Sequence, residues 1–260
     1  MRPVDLAAFV DRLATESGRA ILPFFRASFA TENKAGPGAF DPVTEADRAA
    51  EVVLRRMILD AFPEHGIVGE EFGSEREDAE FVWVLDPIDG TRAFVSGLPL
   101  WGTLIGLTRK GVPAYGTLHQ PFIGERFTGD GGAARYEGPG GGRDLATRRC
   151  RAIEDATILT TSPKLFAGDE DAAYRRVEDR ARLARYGTDC YGYAMVAAGQ
   201  ADAVVESGLK PYDIVALIPV VEGAGGIVTS WDGGSAAGGG RVVACGDRLL
   251  HAQILDILNG

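Results

Sequence analysis

The chain has 260 residues, 45% hydrophobic and 25% charged, which is the ordinary mix of a folded protein and rules out disorder, collagen and coiled coil. Lys and Arg number 27 against 37 Asp and Glu, a net charge of −10 with no basic run, which argues against direct binding to nucleic acid or to an anionic membrane surface. Glycine is the outlier: 35 residues, about 13% against a typical 7%, predict many tight turns and close backbone approaches.

The three cysteines, Cys150, Cys190 and Cys245, are an odd number without a CxxC spacing. That pattern fits neither a disulfide framework nor a zinc ribbon, and the expectation is reduced thiols in a cytoplasmic protein. Asp5 and Asp11 interrupt the apolar residues at the N-terminus, and no segment approaches 18 uncharged apolar residues, so neither a secretory signal nor a membrane span is expected.

In chain order, apolar residues from Leu6 to Phe25 recur at helical spacing and predict a helix over about 5–29, kinked at Pro23. Thr44 reads as the cap of a second helix ending near Phe62-Pro63. Short strands follow at 67–68, 81–85, 102–108, 114–119 and 126–128, with a hairpin at Lys110-Gly111. The glycine-rich segment 129–149 reads as an exposed connection, dividing the chain into halves 1–145 and 146–260. Beyond it, strands at 157–161, 203–206, 226–231 and 242–245 alternate with helical patterns at 169–182, 190–199, 212–223 and 247–258, which predicts α/β layering.

The most informative string is Trp83-Val84-Leu85-Asp86-Pro87-Ile88-Asp89-Gly90-Thr91. An apolar strand ends in two carboxylates three residues apart, with Pro fixing one backbone angle and Gly freeing the next turn, so that both acids can face one point. Converging carboxylates repel unless a cation joins them, and an oxygen-rich pair suits Mg²⁺, which keeps waters for its substrate. The same residues also suit a plain helix cap, since Asp and Thr commonly precede helices. Three further acidic places stand at the edges of elements: Glu70-Glu71 after a strand, Glu45-Ala46-Asp47 at the start of the second helix, and Tyr212-Asp213 after Pro211. His65, His119 and His251 lack metal-pair spacing, and Trp83, Trp101 and Trp231 read as core.

Five ordered strings resemble the inositol monophosphatase superfamily of metal-dependent phosphomonoesterases: PVTEAD at 42–47, VGEEFG at 68–73, WVLDPIDGTRAF at 83–94, PYDIVA at 211–216 and EGAGGIVTSWDG at 222–233. The resemblance implies an αβαβα sandwich, with most metal ligands in the N-terminal half and Asp213 with the alcohol-binding wall in the C-terminal half. It implies that Glu70, Asp86 and the Ile88 carbonyl bind one metal, that Asp86, Asp89 and Asp213 bind a second, and that Glu70 reaches a third. The cofactor implied is Mg²⁺, two to three ions per site, with Mn²⁺ as a substitute. Thr91 and Asp47 would orient the attacking water, and the Gly90 and Thr91 backbone would hold the phosphate. Direct attack by the activated water, without a phosphoenzyme, is implied. The spacing of Asp86 and Asp89 departs from the DxD string of haloacid dehalogenase phosphatases.

Within the family, the VGEEFG, GTDCYGY and LKPYDI strings are similar to the histidinol-phosphate phosphatase branch. Members acting on inositol phosphates tend to carry a small neutral residue where this chain has Asp189. Asp189 and Glu206 would favour a leaving alcohol that bears an ammonium group, although Asp189 also fits a helix cap. The substrate expected is therefore a small phosphorylated alcohol, L-histidinol phosphate first and inositol monophosphate second. Sugar bisphosphates and 3′-phosphonucleotides fit less well, because no Arg and Lys cluster awaits a second phosphate. The resemblance also implies a homodimer and inhibition by lithium. A reading from another class, a transcription-associated binding protein, is disfavoured by the complete acid set. The loop Lys34 to Asp41 is longer than the family's usual link, with Asp41 in place of Ser, and Lys34 is its candidate mobile-loop residue.

Overall fold

The computed structural model describes residues 5–27, 31–33 and 42–260. The side chain of Thr44 and the 34–41 loop lie outside the described residues. Helix α1 (Leu6–Ile21) starts where the Asp5 carboxylate accepts from the Ala8 amide at 3.3 Å, and its inner face buries Phe9, Leu13 and Ile21. It stops short of the expected residue 29, because Pro23 has no amide hydrogen with which to continue the helix. Turns over 22–26 still bury Phe25. A short antiparallel pair, β1 (Thr31–Asn33) and β2 (Pro42–Thr44), leads into α2 (Glu45–Ala61).

The chain then builds β3 (Gly66–Gly69), β4 (Gly73–Glu75), β5 (Phe81–Asp89), the short helix α3 (Thr91–Val95), β6 (Gly102–Arg109), β7 (Val112–Gln120), β8 (Glu125–Gly129), β9 (Ala134–Glu137) and β10 (Arg143–Asp144). These strands form an eight-stranded sheet in the order β10-β9-β8-β7-β6-β5-β3-β4, in which β3 and β5 run parallel and the other neighbours antiparallel. The expected hairpin is present: Lys110 at φ 53° and Gly111 at φ 77° make the tight turn between β6 and β7. The segment 129–149 is largely exposed, as its glycines suggest, but part of it is strand rather than irregular chain. Ala134 and Tyr136 alternate inward on β9, Leu145 is buried, and backbone pairing extends the sheet through residues with little apolar content.

The second sheet comprises β11 (Thr157–Thr160), β12 (Leu183–Tyr186), β13 (Ala203–Leu209), β14 (Ile227–Ser230) and β15 (Gly240–Cys245), ordered β12-β11-β13-β15-β14. Interleaved are α4 (Asp169–Glu178), α5 (Asp189–Ala197), α6 (Pro211–Ile214), α7 (Leu217–Gly223) and α8 (Arg248–Asn259). Strand β12 escapes the sequence pattern because it is an edge strand with exposed Leu183 and Tyr186, so no alternation marks it. The single helix expected over 212–223 is divided in two, since Pro219 cannot donate to the Val215 carbonyl.

The layers are those of an αβαβα sandwich. Helices α1 and α2 cover one face of the large sheet, with Leu13, Leu54 and Ile58 against Trp83, Leu85 and Ile105. Helices α5 and α7 fill the space between the sheets, joining Leu104 and Phe127 to Val204 and Val242. Helices α4 and α8 close the far side through Tyr174, Leu250 and Ile254. Among the described residues no helix is long and apolar enough to cross a membrane.

One row of glycines fixes the middle layer. Gly106, Gly116 and Gly129 are in register on β6, β7 and β8. A Cβ at Gly116 would meet the Ala216 carbonyl oxygen at 1.8 Å, and one at Gly129 the Pro219 oxygen at 2.3 Å. The backbone at the start of α7 therefore lies directly on the backbone of the sheet. Gly116→Ala is expected to cost about 2–3 kcal/mol or more in urea unfolding, because neither clashing group can rotate away. Gly140→Ala, where nothing lies within 4 Å, is the control and should stay within about 0.5 kcal/mol.

Candidate active site

The site begins with an irregularity in β5. On a regular strand Asp86 and Asp89, three residues apart, would point to opposite faces. Asp86 pairs with Leu104 and Asp89 with Gly102, so β5 uses one more residue than β6 over this interval. That extra residue is a bulge, and it turns both acids toward the same cleft. The Thr103 hydroxyl donates to the Pro87 carbonyl at 2.8 Å and the Thr91 hydroxyl to the Ile88 carbonyl at 3.1 Å, which secures the bulged segment. Gly90 follows at φ 86°, where a Cβ would meet the Leu100 carbonyl oxygen at 2.8 Å. Only glycine serves both demands.

Asp213 arrives from the other side on α6. Pro211 opens that helix, and the Asp213 carboxylate reaches back to accept from the Lys210 amide at 2.6 Å. Asp89 accepts from the Cys190 amide at 2.6 Å, in the first turn of α5. Oxygens of Asp86, Asp89 and Asp213 all lie within 4.8 Å of one another. Glu70, Ile88, Gly90, Thr91 and Asp189 line the same cleft of about 360 Å³, together with Arg92, Thr161, Lys210 and Tyr212. A hollow of similar size, about 390 Å³, runs beside Asp11, Tyr115 and Asp144, but the three-carboxylate cluster is not there. Convergent chemistry, not volume, distinguishes the cleft.

Burial drives the electrostatics. Asp86 is 2% exposed, and its carboxyl is pushed far above the usual range first by loss of water and then by Glu70, Asp89, Asp213 and Asp47. Asp89 is pushed up by burial and by Asp189 and Asp213, with the hydrogen bonds from Cys190 opposing. Asp213 rises to about 6, again through burial, with the Lys210 amide and charge opposing. Asp86 Oδ1 is buried without a hydrogen-bond partner. A cluster of hard oxygens with raised proton affinity and a bare buried lone pair fits a hard divalent cation, which would replace the protons and offset the repulsion.

Two expected site residues do not line the cleft. Asp47 sits in the first turn of α2, buried, and acts on Asp86 through its charge. Glu206 is 1% exposed on β13, with its carboxyl turned to the Thr161 amide at 2.6 Å and the Thr160 hydroxyl at 3.2 Å. Burial raises it to about 8, so at neutral pH it is mostly uncharged. Glu206 thus braces the end of β11 behind the cleft wall, and its expected contact with substrate is a proposal. Asp189 does line the wall. Its carboxyl is raised to about 6 by burial, against the pull of Arg92 and of a hydrogen bond with the Thr161 side chain. It is the first residue of α5, at φ 44°, rather than the cap preceding that helix.

Sequence reasoning missed Thr161, Arg92 and Lys210 as cleft residues. Thr161 had no signal beyond the end of a strand, whereas Lys210 was visible beside Pro211 in the LKPYDI string. The histidines pack as expected: His65 stacks on Phe62 at 4.6 Å and accepts from the Trp83 indole at 3.0 Å, and His251 meets Thr229 at 2.8 Å.

The inositol monophosphatase family model matches residues 4–259. The bifunctional phosphatase IMPL2 of Arabidopsis thaliana, chloroplastic, is 43% identical over 97% of this chain and 74% of its own. A histidinol-phosphatase of Chlorobaculum parvum is 32% identical, with 95% of each chain covered. Among solved structures, an inositol monophosphatase from Zymomonas mobilis matches with a TM-score of 0.87 and 39% identity over 97% of both chains.

The raised carboxyls predict a dependence on pH with a definite sign. Asp213 titrates near 3.8 when unfolded and near 6 when folded, so between those values the folded state holds more protons. Stability of the metal-free protein from this group is therefore greatest below pH 4 and declines as pH rises to about 6. Asp213→Asn removes one of the repelling charges. It should raise the metal-free melting midpoint at pH 7 by several degrees, given roughly 2–4 °C per kcal/mol for a chain of this size, and an added divalent cation should raise the midpoint less in this variant than in the parent. A lower metal-free midpoint would mean that the three acids do not repel one another.

Proposed function

The chain belongs to the inositol monophosphatase family, and from that premise we propose that it is a Mg²⁺-dependent phosphomonoesterase acting on a small phosphorylated alcohol, with L-histidinol phosphate preferred. The observation that carries the reading is the convergence of Asp86, Asp89 and Asp213 on one cleft with Glu70 in its wall. In this reading residues 1–145 supply Glu70, Asp86, the Ile88 carbonyl and Asp89, and residues 146–260 supply Asp213 and the wall facing the alcohol. When bound, the cations supply Lewis acidity that activates water and offsets charge on the phosphate.

The chain's own residues do the rest. The Gly90 and Thr91 amides, at the turn into α3, hold phosphate oxygens, and Arg92 and Lys210 give the cleft a positive rim. Thr91, in the cleft wall, orients the attacking water for displacement in line with the leaving alcohol, with Asp47 acting from behind the wall. Asp189 faces the alcohol, where an ionised carboxylate pairs with an ammonium group better than with a neutral polyol. The relatives named histidinol-phosphatases support that choice. The second reading, inositol 1-phosphate, is favoured by the match to the Zymomonas mobilis inositol monophosphatase.

Phosphate release from L-histidinol phosphate and D-myo-inositol 1-phosphate, measured side by side with Mg²⁺ and with chelator, separates these readings. Histidinol phosphate should have the higher kcat/KM, and chelator should stop both reactions. Asp86→Asn should lower kcat by about 10²–10³-fold, the size seen when one electrostatic stabiliser is removed; an unchanged rate would refute the metal assignment. Asp189→Ala should raise KM for histidinol phosphate by about 10-fold or more while leaving the inositol ester within about 2-fold, since a hydrogen bond to a charged group is lost in one case only. Equal effects on both esters would remove Asp189 from substrate recognition.

A further inference from the structure

We infer that Glu51 and Arg55, one turn apart on α2, are positioning residues that set the Glu70 carboxylate at the metal centre, an inference that rests on the reading of Glu70 as a ligand. Glu51 is fully buried, an uncommon place for an acid on a helix. Its carboxylate is spent on the turn between β3 and β4. Oε2 accepts from the Glu71 amide at 2.7 Å, while Oε1 accepts from the Phe72 amide at 3.3 Å and from Arg55 Nε at 2.7 Å. The other arm of the Arg55 guanidinium donates to the Gly73 carbonyl. Backbone groups of 71, 72 and 73 are thus tied to one face of α2.

Glu70 stands between this clamp and a second anchor. Its amide donates to the Leu85 carbonyl at 3.2 Å, prolonging the pairing of β3 with β5 by one residue. With the backbone held on both sides, its side chain is delivered to the cleft that Asp86 and Asp89 face. Gly69 records how closely the turn is drawn onto the pair. A Cβ there would lie 2.0 Å from Glu51 Oε1 and 2.9 Å from the Arg55 guanidinium. An ordinary Glu–Arg pair at this spacing supports only its own helix. Here both partners face the loop backbone, so removing either frees the segment that carries Glu70. The same helix places Asp47 one turn before Glu51, so α2 sets two of the acid positions.

The test is Mg²⁺ binding to the purified full chain by isothermal titration calorimetry, with melting in chelator as the check of folding. Glu51→Gln and Arg55→Met should each weaken Mg²⁺ by about 10-fold or more, the usual effect of removing the group that orients a ligand. In a Glu70→Gln background Glu51→Gln should produce no further loss, because it acts through Glu70. Wild-type affinity in both single variants, or the same loss with and without Glu70, would overturn the inference. If Glu51→Gln does not fold, Arg55→Lys, at a side chain 14% exposed, carries the same comparison. A Glu70→Gln variant that binds Mg²⁺ as the parent does would remove the ligand reading itself, whereas a weakened Glu70→Gln beside unaffected Glu51 and Arg55 variants would remove only the positioning.

Discussion

The contact on which the site depends is one of backbone with backbone: the start of α7 lying on Gly106, Gly116 and Gly129. Helix packing on a sheet normally leaves about 10 Å between the layers, filled by side chains. With no Cβ on three adjacent strands, the chain at Ala216 comes down to van der Waals contact with the sheet. Asp213 lies three residues earlier, so this approach brings it within reach of the bulged end of β5. A larger residue anywhere in the row would lift α6 and α7 together and open the three-carboxylate cluster.

That cluster works against folding in the absence of a cation. Each acid is desolvated and repelled by its neighbours, and the surrounding bonds offset only part of the cost. The Cys190 amide serves Asp89 and the Lys210 amide serves Asp213, both short charge-assisted contacts. Asp86 has one buried oxygen with no such partner. The strain is therefore concentrated on the residue that the proposed reading shares between two metals. Binding free energy spent there is folding free energy as well, since the unfolded chain has no assembled site.

Much of this was legible in the sequence, and the limits have physical causes. WVLDPIDGT could be read because strand, proline, glycine and acids are all local signals, whereas the bulge that lets both acids face one way is a property of pairing with β6. The broken helix at 212–223 was in principle visible, since Pro219 stood inside the pattern. The depth of Glu206 was not legible, because its spacing from Asp213 says nothing of it: β13 is covered on both faces, and an acid there turns inward. Glu51 left no trace, since an acid four residues before an arginine looks like a solvated helix face. Its partners are amides twenty residues away.

The placement of the acids separates two kinds of constraint. Glu70, just after β3, and Asp86 and Asp89 on β5 belong to the large sheet, where register, a bulge and the α2 clamp leave little freedom. In the proposed reading the wall that faces the alcohol comes from the ends of β11 and β13 and from α5, and its chemistry differs residue by residue. Glu206 holds Thr161 from behind as a mostly neutral carboxyl, and Thr161 in turn bonds Asp189. The acid that this wall presents to the cleft is then Asp189, standing at the start of a helix whose Cys190 amide serves Asp89. Because Asp189 contributes a side chain while Cys190 contributes a backbone amide, position 189 can change the charge of the wall without withdrawing the bond that holds Asp89. One fold can thereby keep the same acid cluster while the charge of the facing wall changes.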